Sequence, residues 1–109
     1  MNPTLHIRPP AVAGMFYPAD AEELARDIQA FLAGCESAQA PAPKALIVPH
    51  AGYVYSGAVA ARAYALLAQA RKTIRRVVLI GPAHRVPIRG LALPVAEAFA
   101  TPLGSVRID

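Results

Sequence analysis

Three histidines, His6, His50 and His84, carry most of the chemical range in this sequence. His50 follows the apolar run 44–48 by two residues, and His84 follows the apolar run 76–80 by four. If both runs are parallel strands of one sheet, both loops leave at its carboxyl edge, where open α/β sheets bind ligands. Strands there lie about 4.8 Å apart, so two loop imidazoles can converge on one metal ion or one substrate. The alternative is two unrelated loop histidines, each hydrogen-bonded to backbone. Pro49 and Gly52 punctuate the first loop, and Gly81 and Pro82 the second. Such punctuation restrains an imidazole, which ligation requires and solvation does not. Tyr53 and Tyr55 add an aromatic wall with phenol donors, or pack on the sheet edge. Arg85 and Arg89 lie on the same side and could attract an anion, or be solvated.

The other reactive side chains offer less. Cys35 follows the helix that leads into the first apolar run, which puts it near the amino edge of the sheet, away from His50. His6 sits in a proline-punctuated leading segment. Among the acids, Glu97 and Asp109 alone fall near the later strands.

The elements around these residues read as follows. Residues 1–19 contain Pro3, Pro9, Pro10 and Pro18, so they extend or turn, but Val12, Met15, Phe16 and Tyr17 are packing residues. Asp20 with Glu23 forms a capping-box pattern. Leu24, Ile28, Phe31 and Leu32 then make one helical stripe, which Gly34 ends. The runs 44–48 and 76–80 read as buried strands. Between them Ser56 is expected to cap an alanine-rich helix over 57–70, whose small side chains would let it lie close on a sheet. Strand, helix and strand make a βαβ unit with parallel pairing and a right-handed crossover. Residues 91–93, 95–99 and 105–108 are possible short strands, the last two separated by the turn Thr101-Pro102-Leu103-Gly104.

Composition excludes several classes. At 109 residues the chain holds one domain at most. Hydrophobic residues at 55% and charged residues at 17% rule out disorder. No stretch of about 18 apolar residues runs without a charge or proline, so no membrane span is expected. One cysteine excludes a disulfide partner and a multi-cysteine zinc site, and fits a reducing, cytoplasmic setting. The net charge of +4 could suggest nucleic acid, but the only tight basic run, Arg71, Lys72, Arg75 and Arg76, falls at a helix end, where cations complement the dipole. No nucleic-acid partner is expected.

Taken together, the run from Pro49 to Gly57 (PHAGYVYSG), Gly81-Pro82-Ala83-His84, the run from Thr101 to Asp109 (TPLGSVRID) and the opening from Arg8 to Pro18 (RPPAVAGMFYP) resemble the Memo family, or AmmeMemoRadiSam system protein B. The four motifs cover nearly the whole chain in matching order. The resemblance implies an α/β sandwich around a mixed sheet, like the class III extradiol dioxygenases. It implies that His50 and His84 are two ligands of one iron or copper ion, with Phe16 and Tyr55 lining the pocket. Members of that family run to more than twice this length and carry a third ligand, a cysteine, in the later portion. Residues 1–109 are therefore expected to be the N-terminal portion of a single Memo-like domain, with the third ligand outside it. Arg85 stands where some members have a further histidine.

Three functions follow as expectations. The first is a metal-dependent redox or dioxygenase-like protein acting on a small molecule. The second is a binding module that captures a phosphopeptide or another anion in the same pocket without catalysis. The third is a piece that is inactive alone.

Overall fold

A computed structural model describes residues 4–36 and 41–109. It is a small α/β structure with a mixed three-stranded sheet, two α-helices and a 3-10 segment.

Helix α1 spans Ala21–Ala33. Asp20 caps it, its carboxylate accepting from the Glu23 N–H at 2.9 Å. Glu22 and Glu23 occupy the first turn, where negative charge complements the dipole. Gly34 ends the helix in a right-handed conformation, donating to the Leu32 carbonyl. Leu24, at 3% exposure, anchors the apolar stripe.

Helix α2 spans Tyr53–Tyr64 and runs on into the 3-10 segment Ala65–Ala70. The expected start at Ser56 is therefore corrected: Gly52 is the N-cap, and Tyr53 and Tyr55 lie in the first helical turn. Ser56 is buried one turn in, and its Oγ donates to the Ala51 carbonyl at 2.8 Å. This is the back-bonding habit of serine inside a helix. Helix α2 packs on α1, not flat on the sheet, with Ala61 buried between larger neighbours. Gly57 permits the approach, since a Cβ there would lie 2.7 Å from the Phe31 ring.

The sheet has the order β1-β2-β3, with β1 at Ile7–Arg8, β2 at Ala98–Thr101 and β3 at Gly104–Arg107. β1 pairs parallel to β2, and β2 pairs antiparallel to β3. The expected turn joins β2 and β3. Thr101 Oγ1 accepts from the Leu103 N–H and donates to the Gly104 carbonyl, and Gly104 takes φ +131°, a value suited to glycine. Glu97 ties the leading segment to the sheet: its N–H donates to the His6 carbonyl, and its carboxylate accepts from the His6 N–H. Arg8 lies over the Phe99 ring, 5.3 Å from its centroid.

The expected βαβ unit is not formed. Residues 44–48 and 76–80 carry no strand ladder among the described residues, and the parallel pair is β1 with β2 instead. The reason is the lack of a pairing partner. A strand is defined by hydrogen bonds to a neighbour, and apolar content alone does not provide one. Both runs lie on the surface: Ile47 is 100% exposed and Val78 86%. Residues 91–93 likewise form no strand. The buried apolar set among the described residues is Leu24, Ala61, Ala96 and Ala98. No helix among them is long and apolar enough to cross a membrane.

Candidate functional site

The loop that leads into α2 is held from both sides. The Tyr53 N–H donates to the Phe16 carbonyl at 2.7 Å, tying the start of α2 to the turn over residues 11–17. That turn is closed by Gly14, whose φ of +80° lets its N–H reach the Tyr17 carbonyl at 2.7 Å. Ser56 secures the other side through Ala51. His50 immediately precedes Ala51, the first of these fixed positions.

His50 and His84 meet. Their Nε2 atoms are 3.1 Å apart, with ring centroids 5.3 Å apart and planes inclined by 41°. One imidazole can donate to the other, or both lone pairs can face one cation. Imidazole nitrogens bind a first-row ion at about 2.0–2.1 Å. A 3.1 Å separation then subtends roughly 95–102° at the ion, close to adjacent positions of an octahedron or tetrahedron. The separation alone is compatible with two imidazoles on one ion. No group of three or more His, Cys, Asp or Glu side chains gathers among the described residues.

The other candidate residues take different places. Phe16 is half-exposed and lines a cavity whose wall includes His50. Tyr55 is 84% exposed on the first turn of α2. Tyr53 is turned inward, with ring centroids 5.6 Å from Tyr17 and 6.2 Å from Phe31. Burial pushes its phenol above the ordinary value of 10.0, and nearby Tyr17 and Tyr64 add to the effect. Arg85 follows His84 and is exposed, with no ion pair among the described residues. Cys35 stays apart from the pair, its thiol donating to the Phe31 carbonyl at 3.3 Å. Glu97 is engaged by the His6 N–H just before β1, and Asp109 pairs with Arg76 at 3.1 Å on the surface.

The start of α2 is a poor anion site. Of its early N–H groups, that of Tyr53 goes to Phe16, and those of Tyr55 and Ser56 go to the Gly52 carbonyl. Only the Val54 N–H lacks a backbone acceptor among the described residues. Tyr17, Phe31 and Tyr64, which wall the cavity beside His50, were not legible as site residues. Their only signal was aromatic character at positions that read as ordinary packing.

A family profile described as Memo-like protein matches residues 8–109. A MEMO1 family protein of Aquifex aeolicus (strain VF5) is 43% identical over 109 residues, covering 96% of this chain and 38% of the relative. Protein MEMO1 of Danio rerio is 44% identical over 98 residues, covering 89% of this chain and 32% of the relative. A MEMO1 family protein of Ignicoccus hospitalis is 44% identical, covering 94% and 39% respectively. The chain thus spans less than half the length of these relatives.

Proposed function

The chain belongs to the Memo-like family, and from that premise we propose that it is a metal-binding protein for redox or dioxygenase-like chemistry, with His50 and His84 as ligands of one iron or copper ion. The observation that carries this reading is the 3.1 Å separation of the two Nε2 atoms. When bound, such an ion supplies redox chemistry and Lewis acidity. The chain's own residues do the positioning. Ser56, through Ala51, holds the backbone that carries His50. Phe16 lines the cavity beside His50, the resemblance gives Tyr55 a place at the same pocket, and Arg85 places a positive charge next to His84 in the chain. Two histidines leave the remaining positions to a third protein ligand, which this reading takes from outside residues 1–109, and to a small-molecule substrate.

The same reading makes residues 44–48 and 76–80 strands of a larger α/β sandwich, like that of the class III extradiol dioxygenases. Their apolar, β-branched composition supports this. A cytoplasmic location belongs to it as well, supported by the free thiol of Cys35.

The test is metal analysis after anaerobic loading with Fe(II) or Cu and dialysis, alongside oxygen consumption. One ion retained per chain, and lost in both His50→Ala and His84→Ala, is the expected result. Retention in both variants, or none in the wild type, overturns the reading. Phosphotyrosine-peptide binding that persists after metal removal would favour a binding module instead.

A further inference from the structure

Between α1, α2 and the turn over residues 11–17 lies a cavity of about 400 Å³. This is within the size range of small-molecule sites. Its walls are largely aromatic: Phe16, Tyr17, Phe31, Tyr53 and Tyr64. No Asp, Glu, Lys or Arg lines it. The Tyr17 and Phe31 rings each meet the Tyr53 ring, at a tilted 43° and an edge-on 73°. No hydrogen bond is made by the hydroxyls of Tyr17, Tyr53 or Tyr64 among the described residues. His50 and Phe16 also line the cavity, so it adjoins the histidine pair, whereas His84 and Tyr55 do not line it.

These features define a ligand. Apolar walls without a formal charge disfavour an ion, which would lose its hydration uncompensated. Ring walls favour a flat partner. A tyrosine phenol is a neutral hydrogen-bond donor over the whole physiological range, and that of Tyr53 has no acceptor among the described residues, so it can serve an acceptor on the occupant. We propose that this cavity binds a small, uncharged aromatic molecule carrying a hydrogen-bond acceptor, an aryl ketone being the simplest such ligand. The Tyr53 hydroxyl supplies the donor, and the rings of Phe31 and Tyr17 supply the stacking surface. Binding does not depend on a metal at the histidine pair.

The experiment titrates acetophenone into the isotopically labelled, chelator-treated chain and follows amide NMR shifts. Saturable shifts centred on Tyr17, Phe31, Tyr53 and Ala60 are expected, with a Kd on the order of 1 mM for so small a ligand. Ethylbenzene, which lacks the acceptor, and cyclohexyl methyl ketone, which lacks the ring, should each bind about 10-fold more weakly. Tyr53→Phe should lower acetophenone affinity to that of ethylbenzene, and Ala60→Phe should abolish binding by filling the space. If Ala60→Phe does not fold, Tyr53→Phe alone decides. No saturable shift up to the solubility limit, shifts centred on residues 77–80, or unchanged affinity in Tyr53→Phe overturns the proposal. Because no metal is present, these outcomes are independent of the metal-retention test.

Discussion

His50 and His84 are separated by 34 positions in the chain and by 3.1 Å between their Nε2 atoms. Both residues are exposed, and backbone fixings at Ala51 and Tyr53 hold the segment that follows His50. If the two act as one chelating unit, removing either should cost more than an outer-shell change. Metal affinity in His50→Ala or His84→Ala should fall by more than about 100-fold, beyond the 10–100-fold usual for outer-shell partners. Competition titration against a colorimetric chelator measures it. A fall confined to one variant would mean that the rings do not share an ion.

Ser56 should matter to the site without touching it. Its Oγ bond to Ala51 is buried, and Ser56→Ala leaves that carbonyl without its side-chain partner. A stability loss of about 1 kcal/mol is expected from chemical denaturation. Metal affinity should fall by about 10-fold as the backbone around His50 loosens, while Ser56→Thr, which keeps the hydroxyl, should recover most of it.

Gly57 and Phe31 should be energetically coupled. Alanine in a helix interior is favoured over glycine by about 1 kcal/mol. At position 57, however, its Cβ would lie 2.7 and 2.9 Å from two atoms of the Phe31 ring, and overpacking costs about 1–3 kcal/mol. Gly57→Ala should therefore be neutral to destabilising in wild type, and stabilising by comparison in the Phe31→Leu background. A double-mutant cycle reads this directly.

Tyr53 sets an alkaline limit on stability. Its phenol is raised in the folded chain, so the folded state keeps this proton at a pH where the unfolded chain releases it. The contribution is fully present below about pH 10 and is lost as pH climbs through the raised value. Melting temperatures recorded between about pH 8 and 11 should fall more steeply above pH 10 in wild type than in Tyr53→Phe. Parallel curves would mean that the phenol is not desolvated.

Local signals in the sequence translated well. Asp20 caps α1 because a carboxylate, a free N–H and helical spacing are all supplied within four residues. The turn between β2 and β3 is likewise local, resting on Thr101 and Gly104. Ser56 misled because its hydroxyl suits a cap and a buried back-bond equally, and Gly52 won the start of α2. Pairing was the least legible feature. Nothing in Ile7 or Arg8 announces a partner at Ala98 or Phe99, because parallel ladders join residues remote in sequence. The apolar run 76–80 shows the converse, having strand composition without a neighbour to bond. The nearness of His50 and His84 could be anticipated from their places after the two runs, although the ladder assumed for it is not there.

The pairing of Ile7 with Ala98 also has a temporal side. A ribosome delivers the two edges of that ladder far apart in time, so Ile7 and Arg8 must wait, unmatched, until Ala98 and Phe99 have emerged. Both imidazoles are translated inside that interval. They can therefore find each other before the loop is zipped shut, and a nascent chain held with residues 1–97 clear of the ribosomal exit tunnel should already bring them together.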